Sequence, residues 1–216
     1  MTILFDLDGT LIDSTEAILE SFHRSYEILG GENPSDDAIK ALIGHTLEDM
    51  YLRLGRAPDE VGTYVQTYKA HYRLISKQKT VLLPRAREAI ETAAGFAKLG
   101  IVTTKTGLYS RELLEHFGVM ERFGVLIGRE DVIHAKPHPE PVRKALERLS
   151  ADPAGSWLIG DTRLDAGSAL KAGIGCVGVL SGYDNEEQLR TLTPFIVQDA
   201  LEAVRFIAAK GRNVTF

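Results

Sequence analysis

Phe5-Asp6-Leu7-Asp8-Gly9-Thr10-Leu11 closes the first apolar run of the chain, and its reading decides the fold. A run of residues 2–7 reads as a buried strand, which puts Asp6 at a strand's carboxyl end, where open α/β sheets bind their ligands. Asp6 and Asp8, two positions apart, can face one place once Gly9 lets the backbone turn. Two carboxylates so close repel unless they share a cation or a proton. One of them can then act as nucleophile and metal ligand while the other moves protons. Asp and Gly are also ordinary turn residues, so Asp-x-Asp alone divides evenly between a site and a solvated turn. The full seven-residue string favours the site.

Outward from this strand, the C-terminal two-thirds alternates short apolar runs with helical patterns. Strands are expected at 100–104, 125–128, 156–160 and 175–180, with a short last one at 195–197. Helices are expected at 85–99, 109–117, 140–150, 164–172 and 200–209. Such alternation predicts a parallel sheet of βαβ units, and the runs lack the in–out alternation of half-exposed strands. The stretch between residues 14 and 83 differs. It shows no convincing strand, and 15–29, 36–43, 47–54 and 59–76 carry apolar residues at helical spacing. Ser14 and Ser35 are placed to cap the first two of these helices, and Gly30-Gly31 and Pro34 separate them. The fold expected is therefore α/β: a Rossmann-like core of residues 1–13 and 84–216, with a small all-helical cap, 14–83, inserted after the first strand. The cap would act as a lid hinged near residues 13–14 and 82–84. The stripe of tyrosines from Tyr64 to Tyr72 reads as the cap's own core.

With 216 residues, 44% apolar and 25% charged, the composition is that of a globular protein, one large domain or two small ones. The net charge of -5 gives no basic footprint for nucleic acid or an anionic membrane. Cys176 is the single cysteine, so neither an intrachain disulfide nor a thiolate cluster is available. The longest apolar run, 173–180, is too short to span a bilayer. Without a secretory pattern at the start, the cytoplasm is the expected compartment.

Three further loops each follow an expected strand. Val102-Thr103-Thr104-Lys105 offers hydroxyls and free N–H groups suited to a phosphate oxygen, although β-branched residues are commonplace in strands. His134-Ala135-Lys136-Pro137-His138-Pro139 holds Lys136 on a proline-stiffened loop, where its ammonium can balance carboxylates and phosphate. His134 and His138 lack the helical context of an i, i+4 metal pair and read as surface or loop residues. Gly160-Asp161-Thr162-Arg163-Leu164-Asp165 puts Asp161 at a strand end and Asp165 in the first helical turn. Acids there either cap the helix or bind a hard cation such as Mg²⁺. If the strands are parallel, the four loops gather at one edge of the sheet.

This ordered set resembles the haloacid dehalogenase superfamily, in particular its phosphoglycolate phosphatase-like branch, over essentially the whole chain. The resemblance implies a Mg²⁺-dependent phosphatase acting on a small phosphorylated metabolite. By position, Asp6 is similar to the family's nucleophile, which forms an aspartyl-phosphate, and Asp8 to its general acid and base. Thr103, with Thr104 beside it, and Lys136 are similar to the phosphate-binding hydroxyl and the charge-stabilising lysine. The Mg²⁺ ligands implied are Asp6, the Asp8 backbone carbonyl and Asp161, with Asp165 either outside the metal or orienting Lys136. Dehalogenases carry tyrosine where Asp8 stands, and β-phosphoglucomutases carry histidine and arginine where Ile18 and Leu47 stand, so neither activity is expected. Ile43-Gly44-His45-Thr46-Leu47-Glu48 resembles the hydrolase specificity loop, and His45, Thr46 and Arg53 are the candidates for reading the substrate.

The substrate implied first is 2-phosphoglycolate. The core stretches Gly100-Ile101-Val102-Thr103-Thr104-Lys105 and Glu130-Asp131-Val132-Ile133-His134-Ala135-Lys136-Pro137 resemble the inorganic pyrophosphatase subgroup, which makes pyrophosphate the second. Thr104 stands where asparagine is frequent, and His138 where a small or acidic residue is. A catalytically silent binding protein on the same scaffold is a third reading, opposed by a competent residue at every chemical position.

Overall fold

The computed structural model describes residues 1–212; the expected end of the core, 213–216, lies outside the described residues. The chain runs β1 (Thr2–Phe5), β2 (Ile12–Asp13), α1 (Thr15–Leu29), α2 (Asp36–Lys40), α3 (Leu47–Arg53), α4 (Pro58–Ile75), β3 (Val81–Leu82), α5 (Ala86–Ala94) and β4 (Lys98–Val102). It continues with α6 (Gly107–His116), β5 (Val125–Ile127), α7 (Glu140–Arg148), β6 (Ser156–Gly160), α8 (Arg163–Ala172), β7 (Gly175–Val179), α9 (Glu186–Arg190), β8 (Ile196–Val197) and α10 (Ala200–Arg212).

Six strands form one sheet in the order β5-β4-β1-β6-β7-β8, and every neighbouring pair is parallel. Side chains alternate across β1, so Ile3 and Phe5 enter one apolar cluster with α5, α6 and α10, while Leu4 enters another with α7 and α8. Both faces are thus covered, which is why the strands read as unbroken apolar runs. The chain winds outward from β1 to β5, then returns to start again at β6, so the winding reverses between the central strands β1 and β6. A crevice opens at the carboxyl ends beside such a reversal, and Asp6 and Asp161 stand on its two sides.

Helices α1 to α4 pack around a third cluster built on Phe22, Tyr26, Tyr51, Tyr64, Tyr68 and Tyr72. Phe22 and Tyr51 lie 4.6 Å apart between ring centroids, and Tyr68 stacks on Tyr72 at 5.5 Å. Offset and edge contacts of this kind add to the apolar area that the rings bury. The tyrosine stripe is therefore internal, as its spacing predicts.

Three local expectations are corrected. The stretch between residues 14 and 83 does hold a strand: Val81–Leu82 pairs antiparallel with Ile12–Asp13, so the two chain crossings beneath the helices are tied to each other. The helix expected over 85–99 ends at Ala94, and Lys98-Leu99 instead open β4 by pairing with Thr2-Ile3. The partner strand supplies hydrogen bonds that helical periodicity cannot register. Ser35 caps α2 through Ala38 N–H, as expected. Ser14 makes no cap bond to α1; its hydroxyl donates to Asp8, and Asp13 accepts the Thr15 N–H at 2.9 Å. Ser14 thus donates to a carboxylate oxygen where a capping serine would accept backbone N–H groups.

Candidate active site

Strand β1 ends at Phe5, one pair of residues earlier than its apolar run, because the Leu7 carbonyl closes a turn by accepting N–H groups of Thr10, Leu11 and Ile12. Gly9 occupies that turn at φ +79°, and a Cβ there would stand 2.4 Å from Asp161 Oδ2. Gly182, after β7, meets the same oxygen as closely, at 2.0 Å. Glycine at these two positions lets two backbones close around one carboxylate.

Asp6 is 4% exposed, while Asp161 and Asp165 are fully buried. Ligand oxygens of these three lie within 4.8 Å of one another. Lys136, itself buried, reaches Asp6 Oδ1 at 2.7 Å, Asp165 Oδ1 at 2.5 Å and the Val102 carbonyl at 3.1 Å. The other Asp165 oxygen accepts the Thr162 N–H and hydroxyl, at 3.1 and 2.6 Å. Asp165 is thus in direct contact with Lys136. Asp161 accepts the Thr10 hydroxyl at 2.9 Å and the Tyr183 N–H at 3.0 Å.

Burial first, then Asp165, pushes the Asp6 carboxyl up to about 7 although Lys136 pulls it down. Asp161 is raised as well, by burial and then by Asp6. For Lys136 burial acts downward, but Asp165 and Asp6 outweigh it and hold the ammonium charged. Buried carboxylates that resist ionising together form a set of hard oxygen donors suited to a divalent cation. The residues present fit such an ion: Asp165 is committed to Lys136 and Thr162, while Asp6 and Asp161 are available to hold it.

Asp8 stands apart. It pairs with Lys105 at 2.9 Å and accepts the Ser14 hydroxyl. Lys105 is mostly enclosed, its side chain 10% exposed, lies 4.7 Å from the centroid of the Tyr72 ring and, despite the downward pull of burial, is kept charged by Asp8. The sequence alone does not single out Lys105, because lysine is ordinarily exposed. Its signal was its place, one residue beyond the hydroxyl pair. Thr103 is buried, and its hydroxyl oxygen accepts the Lys105 N–H at 3.1 Å. The Thr104 hydroxyl instead crosses to the cap and donates to the Gly44 carbonyl at 2.9 Å.

Between sheet and cap lies a cavity of about 50 Å³ that takes in Asp8, Lys105, Thr104 and His45, with Ile18, Met50, Tyr68 and Tyr72 giving it apolar walls. Burial and then Arg53 push the His45 imidazole down, toward its neutral form. Thr46 caps α3 by accepting the Asp49 N–H at 3.2 Å. Arg53 pairs with Asp49 at 2.8 Å, is half exposed, and does not line the cavity. Of the three cap candidates, the structure brings only His45 to the cavity wall. Two lining residues that the sequence did not single out face each other across the cap boundary: Arg129 Nε and Glu48 Oε2 stand 3.9 Å apart, each buried and without a hydrogen-bond partner among the described residues.

The model of the haloacid dehalogenase-like hydrolase family matches residues 3–179. A pyrophosphatase PpaX of Anoxybacillus flavithermus is 33% identical over 98% of this chain and 98% of its own. A phosphoglycolate phosphatase of Yersinia pseudotuberculosis is 27% identical over 98% of this chain and 96% of its own. Among solved structures, that of a haloacid dehalogenase-like hydrolase from Bacteroides fragilis superposes with a TM-score of 0.89 at 30% identity, covering 94% of this chain and 98% of the other.

Proposed function

The chain belongs to the haloacid dehalogenase-like hydrolase family, and from that premise we propose that it is a Mg²⁺-dependent phosphatase of a small phosphate monoester, with 2-phosphoglycolate the first substrate to try. The observation that carries the reading is the buried triangle of Asp6, Asp161 and Lys136 beside a separate, differently held acid, Asp8. Asp6 attacks phosphorus in line, forming an aspartyl-phosphate as the ester oxygen leaves. Asp8, protonated and turned from Lys105 and Ser14 toward that oxygen, gives it the proton and then takes one from the water that cleaves the aspartyl-phosphate. Thr103 and Lys136 hold the phosphoryl oxygens, and Asp165 keeps the ammonium aimed. A Mg²⁺ ion held by Asp6, Asp161 and the Asp8 backbone carbonyl would neutralise charge on the transferring group. The helices of residues 14–83 form a cap that closes over the site, with β2 and β3 as the paired crossings and Thr104 as a latch. Closure keeps bulk water from the acyl-phosphate.

The cavity favours an organic monoester. Its cations, Lys69, Lys105 and Arg129, face two acids, Asp8 and Glu48, and the remaining wall is largely aliphatic and aromatic. The leaving half of pyrophosphate carries more negative charge than this lining balances. Pyrophosphate is the second reading, motivated by the pyrophosphatase-like core stretches and by the relative of that name. Phosphate release from 2-phosphoglycolate, pyrophosphate and a broad phosphoester panel, measured on one preparation with Mg²⁺ and again with EDTA, tests both. A higher kcat/KM for pyrophosphate reverses their order. Absence of release from every compound overturns the proposal and leaves a binding protein on the same scaffold.

A further inference from the structure

On the outer side of the loop that carries Lys136, His134, His138 and Glu140 place ligand atoms within 4.8 Å of one another. Their side chains are 61%, 48% and 27% exposed, whereas that of Lys136 between them is 1% exposed. The loop thus turns one charged group inward and three potential donors outward. The imidazole rings lie 4.5 Å apart at 37°. Both Nδ1 atoms lie near a single carboxylate oxygen, Glu140 Oε2, at 3.1 Å from His134 and 4.0 Å from His138. In a tetrahedral zinc site with bonds of roughly 2.0–2.1 Å, neighbouring donors stand about 3.3 Å apart. The edges of 3.1 and 4.0 Å bracket that length.

The carboxylate is oriented in advance. Its oxygens accept the N–H groups of Ile133 and His134, each at 2.9 Å, and these bonds hold its pKa down to about 2. His138 is fixed at its backbone, where its carbonyl accepts the Ser168 hydroxyl at 2.7 Å. Its Nδ1 accepts the Glu140 N–H at 3.2 Å, so this nitrogen presents a lone pair. Fixed second contacts of this kind set ligand geometry at metal centres.

We propose that His134, His138 and Glu140 form a second metal site, for a d-block dication such as Zn²⁺, that staples the turn bearing Lys136. Imidazole donors favour Zn²⁺ over Mg²⁺, while the all-oxygen cluster of Asp6 and Asp161 suits the hard ion, so the two sites select different metals. On binding, the ion takes the place of the His134 Nδ1 proton, which moves to the other ring nitrogen, and the Glu140 N–H, in the first turn of α7, turns to water.

The test is calorimetric titration of the full chain with ZnCl₂ in excess Mg²⁺. One Zn²⁺ per chain with a micromolar or tighter Kd is expected, together with a rise in Tm. His134→Gln, which removes only the ring facing Glu140, should weaken binding at least tenfold. The His134→Gln/His138→Gln pair should abolish both the binding and the Tm rise, with Mg²⁺-dependent phosphate release within twofold of the parent. Equal Zn²⁺ affinity in parent and variants, or no binding by the folded parent, overturns the site.

Discussion

On the sheet side of the crevice the carboxylates have fixed partners: Asp165 is held by Lys136 and Thr162, and Asp161 by Thr10 and Tyr183. Where sheet and cap meet, Arg129 Nε from the sheet and Glu48 Oε2 from the cap are buried and hydrogen-bonded to nothing among the described residues, and within the cap the Tyr26 and Tyr72 hydroxyls share that state. Buried polar groups left without partners destabilise a fold, whereas fully paired ones rigidify it. The acids at the sheet ends are therefore held in one geometry, while the boundary with the cap leaves a donor and an acceptor unpaired. What differs is how completely polar atoms are satisfied.

The strongest way to break this division is Asp6→Asn. Phosphate release should fall by about four orders of magnitude or more, with unchanged circular dichroism and a Tm no lower than the parent's, because a crowded buried acid is gone. Retention of full turnover would remove Asp6 from the chemistry. Next, Lys136→Met should lower unfolding stability in urea by about 3 kcal/mol or more, since it strands Asp6 and Asp165. Lys105→Met, at the boundary with the cap, should lose about 1–2 kcal/mol, because Asp8 keeps its bond from Ser14. Equal losses would erase the contrast.

A third measurement uses the raised Asp6 carboxyl. With a folded-state pKa of about 7 against 3.8 in the free side chain, the metal-free folded protein binds more protons than the unfolded chain between those values. Its stability should then be full below about pH 4 and fall as pH rises toward 7. Tm in EDTA should accordingly drop between pH 5 and 7.5 more than Tm in saturating Mg²⁺, and parallel curves would contradict the cause assigned. The smallest effect sharpens the boundary itself. Thr104→Val removes the hydroxyl that joins sheet to cap. It should change stability by about 1 kcal/mol or less, yet raise KM several-fold with kcat nearly intact.

Much of the fold was legible because its signals are local. Buried parallel strands announce themselves as apolar runs, and Asp6, Thr103, Lys136 and Asp161 each follow one of them. Ser14 departs from expectation because a serine ahead of a helix is normally its cap, and nothing local reveals the Asp8 carboxylate within its reach. Lys98-Leu99 misled because the helical pattern of 85–99 runs on past Gly95, while the pairing that makes β4 comes from β1. Lys105, Glu48 and Arg129 escaped notice because charged residues are mostly solvated, and only the meeting of cap and sheet buries their ends.

The sequence by itself determined the α/β class, the helical insert and the four loops of acids, hydroxyls and lysine, since strand and helix periodicity and turn chemistry are properties of neighbouring residues. Tertiary structure decided which acid pairs with which base: Asp6 and Asp165 with Lys136, Asp8 with Lys105. Those pairings depend on distances across strands far apart in the chain, and in a buried site a difference of an ångström separates a partner from a bystander.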